Sequence, residues 1–391
     1  MANTTTTGDG SPAQAGIPFT IGAQACRYFS NTQTKSNFGS GGVFDIVPLA
    51  ATGWIRSIEM LFTATFTTSV SAALVSGTTG LDAPWNLIQS VQLSDAQGKP
   101  IMQPISGYNL MLVNKWMPSG GVFRGGNYYS SDPRQSSEYA LSASGTSGTA
   151  VFRLRIDLEV NEDTGYGCIP NLDSNASPQL KVLFNQYSNV FTGGTPSAAT
   201  ISMRTTTHFW SPAAGNSQQP VLRVPPGAGD YLQTRYETGT LSASTENVYN
   251  VQSKGGYIKG ALIVSRNAGT RVAFTAGANV GTILDNQPID DGVPLEEILA
   301  DVKRFTGYTG SDAGVTGTPY TPLSAGTVAG ADVGVIPVLY YSRGPYNDGW
   351  LNTLVGSSLQ HKLTPGASAT GLEVITQLVQ PHDYSAFFAR S

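Results

Sequence analysis

The chain has 391 residues, of which 12% are charged, and a formal net charge of -4. At roughly 150 residues per domain this length suggests two domains, each large enough to form a core without disulfide or metal support. The slightly acidic balance argues against broad nucleic-acid binding, because neutralising phosphates requires many lysines and arginines. No run of about 18 apolar residues occurs, so no membrane-spanning helix is expected.

The N-terminal segment differs in composition from the rest of the chain. Residues 1–19 are mostly Thr, Gly, Ser, Ala and Pro and show no periodicity. Such a segment cannot fold by itself, so we expect either a flexible end or an arm that docks on a neighbouring subunit. It lacks the basic and apolar blocks of a signal peptide. For the two cysteines, Cys26 and Cys168, free thiols are favoured over a disulfide.

From residue 42 onward, apolar and polar side chains alternate, which is typical of half-buried strands. In 54–66 the even positions are apolar except Arg56, and in 151–160 apolar residues alternate with charged ones. Further strands are predicted over 180–184 and 201–210. Short strands separated by Gly, Pro, Asn and Ser clusters indicate a β-sandwich or barrel.

A stretch rich in proline and small residues divides the chain and predicts a linker over 212–231. The expected organisation is an arm (1–19), a first domain (20–211), the linker and a second domain (232–391). Both halves show a long strand, a polar turn (LSDAQGKPI or ILDNQPI), a helix and two closing strands in the same order. Two related domains in tandem explain this better than chance similarity between sandwiches.

A helix is predicted at a matching place in each half. The first covers 108–116, YNLMLVNKW. The second covers 294–305, where one helical face carries Leu295, Ile298, Leu299 and Val302. We expect this face to pack on the sandwich, so that Leu299→Asp would destabilise its domain by several kcal/mol.

Candidate catalytic residues are few. None of the histidines, His208, His361 and His382, has another His or a Cys at a metal-ligand spacing. His208 is interpreted as a packed or surface residue of a strand. His382 precedes Asp383, but no G-x-S-x-G motif supplies a nucleophile for it, so no hydrolase triad is predicted.

Three carboxylates, Asp285, Asp290 and Asp291, crowd around one predicted turn. They lack the spacing of a calcium-binding loop, so turn-forming and capping roles are preferred to a calcium site. No glycine-rich phosphate-binding loop precedes a helix. We therefore predict no catalytic, cofactor-binding or metal-binding residues, no cofactor and no enzymatic activity.

Several segments of the first half resemble the double jelly-roll major capsid proteins of tectiviruses, which are tailless icosahedral phages with an internal membrane. The similar segments are VFDIVPLAATGWIRSIEMLFTATF, DAPWNLIQSVQLSDAQGKPI and SGYNLMLVNK, over about residues 40–116. The matching positions are Phe44, Asp45, Pro48, Asn86, Leu87, Ile88, Gln89, Val91 and 108–115. Elsewhere the resemblance rests on length, two-domain layout and strand order.

The resemblance implies an all-β chain of two tandem eight-stranded jelly-roll domains with short helices and long loops. It also implies a homotrimer of pseudo-hexagonal outline, made in the host cytoplasm, that tiles an icosahedral virion shell over an internal membrane. The implied partners are neighbouring trimers and other capsid and vertex proteins. These relatives have a longer, more polar and helix-prone N-terminal segment, whereas the arm here is Thr- and Gly-rich. It has no basic residue before Arg27, which argues against its direct attachment to anionic lipid.

Two other functional classes share this composition. A secreted or surface β-sandwich adhesin or lectin predicts a signal peptide in the full gene and a sugar-dependent thermal shift. A carbohydrate-active enzyme would need two carboxylates about 5–9 Å apart across a cleft. Nothing in the sequence singles out such a pair.

Overall fold

The computed structural model is built almost entirely of antiparallel β-sheets. It describes residues 18–36, 41–67, 82, 85–117, 138–140, 147–161, 164–186, 190, 198–211, 224–272, 274, 278–295, 297–298, 334–340 and 349–380. At 138–140 and 147–150 only the backbone is described.

The first half forms two sheets. Its strands are β1 (Ala25–Phe29), β2 (Gln33–Ser36), β3 (Gly42–Val43), β4 (Val47–Pro48), β5 (Gly53–Thr67), β6 (Ile88–Ser94), β7 (Pro100–Ile105), β8 (Glu138–Ala140), β9 (Ser147–Asp157), β10 (Ile169–Asn171), β11 (Gln179–Phe184) and β12 (Ala198–Trp210). Sheet 1 has the order β1–β12–β5–β9–β8, with β2 on β12 and β10 on β5. Sheet 2 has the order β3–β11–β6–β7, with β4 on β11. The helices are α1 (Phe19–Gly22) and α2 (Gly107–Trp116), with 3-10 turns at Trp85–Leu87 and Ser174–Ala176.

The second half also forms two sheets. Its strands are β13 (Leu232–Thr240), β14 (Asn247–Asn250), β15 (Tyr257–Asn267), β16 (Thr270–Arg271), β17 (Asn279–Leu284), β18 (Gln287–Pro294), β19 (Val335–Leu339), β20 (Leu351–Asn352), β21 (Leu359–Leu363) and β22 (Gly371–Val379). Sheet 3 has the order β13–β22–β15–β16, with β19 and β20 also on β15, and sheet 4 has the order β14–β21–β17–β18.

Both halves have the strand order of a jelly roll. In sheet 1 the first strand of the domain, β1 continued by β2, pairs with the last strand, β12, and β5 and β9 follow in the sheet. Sheet 3 has the same order, in which β13, β22, β15 and β19 correspond to β1, β12, β5 and β9. In the same way, β3 with β4, β11, β6 and β7 correspond to β14, β21, β17 and β18. Each half therefore has eight principal strands, and the predicted all-β fold of two tandem jelly rolls is confirmed.

The alternation predicted for β5 is present, with one irregularity. The even positions from Ile58 to Phe66 are buried in the core between sheets 1 and 2. The register between β5 and β12 shifts around Arg56, as at a β-bulge. This shift reverses the facing of the residues before it, so Ile55 enters the core while Trp54 joins a separate cluster. The prediction of a single apolar face from 54 to 66 is wrong at its first residue for this reason.

Sheet 3 is buried on both of its faces. Leu262, Val264 and Ile375 belong to the core of the first half, whereas Ile263 and Val374, their neighbours along the strands, belong to the core between sheets 3 and 4. One hydrophobic core therefore continues from the first jelly roll onto the second.

The arm and the linker are both partly docked on the first jelly roll. Phe19, which the sequence placed in the arm, is 1% exposed and packs edge-on against Trp54 and Trp210, with ring centroids 6.5 and 6.2 Å away. In the linker, Gly229 N–H donates to the Cys168 carbonyl over 3.0 Å. Residues 1–17 and 212–223 lie outside the described residues. The division of the chain at the linker is kept as a proposal, supported by the assignment of 25–210 and 232–379 to separate sheets.

The structure confirms one of the two predicted helices and describes only the beginning of the other. The first is confirmed as α2, whose N-cap Ser106 accepts a hydrogen bond from Asn109 N–H. In the second, Pro294 ends β18, while Leu295 and 297–298 are helical and Leu295 is buried. Leu299 and Val302 lie outside the described residues, so the rest of this helix stays a prediction.

Candidate interaction surfaces and the domain junction

Helix α2 occupies the junction of the two jelly rolls, and all ten of its residues are buried. Asn114 anchors it to β9, because its amide donates to the Arg155 carbonyl over 2.6 Å and accepts from Arg155 N–H over 2.9 Å. After the helix, the Met117 carbonyl accepts from Nζ of the buried Lys259 over 3.2 Å. A Cβ at Gly260 would come within 3.1 Å of the Met117 sulfur, so glycine permits this close approach.

A cluster of buried charges also spans the junction. Asp82 of the first half accepts from Arg271 Nε over 2.6 Å and from Arg266 Nη1 over 2.9 Å. Arg266 Nε in turn donates to Glu373 Oε2 over 2.8 Å. The guanidinium carbons of Arg271 and Arg266 lie 4.5 and 5.8 Å from the ring centroid of Tyr108 on α2. We call Asp82, Arg266, Arg271 and Glu373 the junction cluster.

The junction cluster was not found from the sequence. Asp82 lies 184 residues from Arg266 and 189 from Arg271, so no local spacing relates them. The side chain of Arg271 is fully buried and that of Asp82 is 7% exposed. Buried ions need paired, hydrogen-bonded partners, so this cluster ties the position of one jelly roll to the other.

The outer face of sheet 1 concentrates positive charge. Alternate residues of β1, β5, β9 and β12 line a groove of about 470 Å³ there. Its cationic residues, which we call the arginine face, are Arg27, Arg56, Arg153, Arg155 and Arg204, together with His208 when protonated. Three carboxylates lie among them, so the arginines leave this face a net charge of +2 on a chain of net charge -4.

The arginines of this face are unequally compensated. Three pair with carboxylates at N–O distances of 2.6 to 3.5 Å: Arg56 with Glu159, Arg155 with Asp157, and Arg153 with Glu59. The His208 imidazole, followed by the nearby arginines, lowers the pKa of Glu59 in spite of its burial. Arg27 and Arg204 have no ion-pair partner among the residues that the structure describes.

Glu159 is a buried carboxylate beneath this face, with 1% exposure. It accepts from Arg56 Nε over 2.6 Å, from Trp210 Nε1 over 2.7 Å and from the Cys168 thiol over 3.6 Å. Burial, followed by the charge of Glu159, raises the pKa of Cys168 well above its usual value. Both Cys168 and Cys26 are free thiols. The Glu159 carboxylate therefore accepts from three donors, and these contacts fix the end of sheet 1 around Trp210.

The residues singled out from the sequence do not converge on one site. His208 lies on the arginine face, with Nε2 3.8 Å from a Glu59 oxygen. His361 is buried in the second jelly roll, where Nδ1 lies 3.2 Å from the Thr282 hydroxyl, and burial lowers its pKa to about 4. His382 and Asp383 lie outside the described residues.

The three turn carboxylates have separate structural environments. Asp285 and Asn286 form the two-residue turn between β17 and β18 with positive φ values of 49° and 65°, which suits a type I′ hairpin. One oxygen of Asp285 accepts hydrogen bonds from Ser357 and Ser358. Asp290 and Asp291 lie on β18, where Asp291 is 3.8 Å from Lys362 Nζ.

The described residues contain neither a metal-ligand cluster nor a membrane-spanning helix. In the part of the chain that the structure describes, no three His, Cys, Asp or Glu side chains converge as a metal site would require. None of the helices in those ranges has both the length and the apolar character needed to cross a bilayer.

Comparisons with known proteins are informative for the fold. No family model and no curated protein sequence matches this chain. The crystal structure of the STIV MCP is 13% identical with a TM-score of 0.57, covering 93% of this chain and 100% of that chain. A chain from the atomic structure of Sulfolobus Turreted Icosahedral Virus is 14% identical with a TM-score of 0.58, covering 93% of each chain.

A third similar structure comes from the quasi-atomic model of the PBCV-1 virus capsid. It is 10% identical with a TM-score of 0.53, covering 91% of this chain and 94% of that chain. Because the similarity extends over nearly the whole length of each chain, it includes both jelly rolls and their relative placement. This chain therefore has the double jelly-roll fold of these virus structures.

Proposed function

We propose that the chain is a structural subunit of an icosahedral virus shell and has no catalytic role. The observation that supports this proposal is that the chain forms two jelly rolls with the same strand order. The chain also aligns almost end to end with chains from solved virus structures that place two jelly rolls in the same way. A shell subunit needs large flat flanks that neighbours can cover, and the low content of charged residues reduces the cost of burying them.

The finer proposal is a homotrimer with a pseudo-hexagonal outline. Three copies of a chain with two similar domains place six similar lobes around one axis. Such an outline requires the two jelly rolls within a copy to keep a constant relative orientation. The continuous core across sheet 3 and the junction cluster supply that rigidity.

We further propose that the trimers tile the virion shell beside other capsid and vertex proteins, over an internal membrane. The resemblance over about residues 40–116 supports this part, and membership of the tectivirus group stays a prediction. The predicted arm is residues 1–19, and because Phe19 packs within its own chain, we propose that the part before Pro18 docks on neighbouring subunits. The adhesin alternative gains no support from the solved structures that share this fold.

Assembly of the purified chain tests the proposed function. The protein is concentrated stepwise and imaged by negative-stain electron microscopy, while a glycan panel is screened in parallel by thermal shift. Hexagonally tiled sheets or closed shells without glycan-dependent stabilisation are expected. Dispersed particles at every concentration, together with stabilisation by a glycan, would favour the adhesin.

A further inference from the structure

Strand β1 is an edge of sheet 1 whose backbone is paired on one side. Among the residues that the structure describes, β1 pairs only with β12. Gln24 and Ser30, which flank β1, donate from their N–H groups to acceptors on β12 and directly after it, over 3.0 and 2.9 Å. Because the backbone groups of successive residues point in opposite directions along a strand, those of Arg27 and Phe29 point away from β12. These N–H and C=O groups can therefore pair with another strand.

The side chains of this edge lie on the groove side of sheet 1. Arg27 and Phe29 are both exposed, and both line the groove of the arginine face. Arg204 comes from the neighbouring strand β12, and its guanidinium carbon lies 5.6 Å from the ring centroid of Phe29. The Arg204 cation therefore reaches toward the edge strand, so both cations lie beside the path of an added strand.

Neither of these two cations is neutralised within the described part of the chain. The three ion pairs of the arginine face involve its other members and leave Arg27 and Arg204. A guanidinium group presents parallel N–H donors that match the two oxygens of a carboxylate. Side chains two residues apart on a strand paired with β1 would face Arg27 and Phe29 on the groove side. The geometry thus favours an incoming strand with carboxylates at positions i and i+2.

This chain does not itself supply such a segment. Of its 26 acidic residues, only Asp157 and Glu159 are separated by a single residue, and both are buried, with 8% and 1% exposure. Residues 1–17 contain one carboxylate side chain, that of Asp9. The arm of a neighbouring copy therefore lacks the charge pattern, and charge complementarity favours a different protein as the partner.

We propose that β1 and the adjoining arginine face bind an extended acidic segment of a different protein, which adds a strand to sheet 1. Main-chain hydrogen bonds to β1 would give affinity, and the carboxylates on Arg27 and Arg204 would give specificity. Occupation of this edge would also protect it from uncontrolled pairing. The inference goes beyond the proposed function and does not depend on it, because a single copy carries the whole site.

Synthetic peptides test the proposal on the full-length chain. The probe is a peptide of about nine residues, roughly 30 Å long when extended, in which glutamate alternates with threonine. Its binding is followed by fluorescence anisotropy at low salt, and glutamine replaces glutamate in the matched peptide. The glutamate peptide should bind at least about 30-fold more tightly, since it alone forms ion pairs with the two guanidinium groups.

N-methylation of the peptide tests the backbone pairing. Methyl groups are placed either on the glutamate nitrogens or on the threonine nitrogens, because only one of these sets points toward β1 in a paired strand. One isomer should lose at least about 10-fold in affinity, and the other should lose much less. The isomer that loses affinity gives the direction of the added strand.

Charge reversal in the protein assigns the site. The variant with Arg27→Glu and Arg204→Glu should lose the preference for the glutamate peptide and favour a lysine peptide instead, which also shows that it is folded. The matched control combines Lys99→Glu with Lys181→Glu, two exposed cations of the sheet 2 region. This control should bind the glutamate peptide like the wild type.

Four results would overturn the proposal. Equal affinity for the glutamate and glutamine peptides, or a glutamate preference that survives in the Arg27 and Arg204 variant, would remove the assigned site. Equal effects of the two methylated isomers would remove strand addition. Tighter binding of an oligothymidylate that depends on the same arginines would assign the surface to nucleic acid. Dissociation of oligomers of this chain by the glutamate peptide would assign it to a second copy.

Discussion

Asp82→Asn should be among the more damaging single changes at the junction of the two jelly rolls. The carboxylate is 7% exposed and accepts from two guanidinium groups at 2.6 and 2.9 Å, one of which is fully buried. The amide keeps the shape of the side chain but removes its charge, and it leaves Arg271 buried without its carboxylate partner. Breaking a buried ion pair in this way costs about 3–5 kcal/mol.

The assay is urea unfolding followed by far-UV circular dichroism at one protein concentration. A double-mutant cycle with Arg271→Met isolates the pair, and we expect a coupling of about 2 kcal/mol. Asp45→Asn is the matched control, because Asp45 is 75% exposed in its ion pair with Lys35 and should cost less than about 1 kcal/mol. Equal effects of Asp82→Asn and Asp45→Asn would refute the argument that the junction depends on buried charge.

Two further predictions concern pH and the N-terminal segment. Burial lowers the pKa of His361 to about 4 in the folded state, against an ordinary value of 6.5. The contribution of the neutral His361 to folding stability is therefore complete above pH 6.5 and is lost as pH falls from 6.5 toward 4, by up to about 3 kcal/mol. His361→Gln should remove this part of the pH dependence of the urea midpoint, and an unchanged slope would contradict it. Phe19→Ala should lower the free energy of unfolding by about 3 kcal/mol, followed in a thermal melt, whereas deletion of 1–17 should leave the melting temperature unchanged. Equal losses of stability in the two variants would place the arm in the core.

The regular part of the fold could be predicted because burial follows the period of the strand. The even positions of β5 alternate with solvent-facing ones over most of its length, and the polar turn at 285–286 forms a hairpin between β17 and β18. The repeated order of signals also predicted the duplication, since each half uses the same strands in the same sheet positions. These features depend on local patterns, which a sequence displays directly.

The junction and the arginine face could not be predicted because they depend on contacts between distant strands. Arg153 and Arg155 looked like ordinary solvent-facing residues of one strand until β5 and β12 placed Arg204 and His208 beside them. Glu159, which the alternation placed on a polar face, is buried because Arg56 and Trp210 close over it. One available signal was the nearly continuous apolar run of β15, which is typical of a strand buried on both faces.

The central claim is tested most directly by the solution mass of the purified chain, measured by light scattering after size exclusion. The same peak is then imaged by negative-stain electron microscopy. The account predicts a mass near three times 41.1 kDa and particles with six lobes around one axis. A single species of 41.1 kDa at every concentration and salt would contradict it.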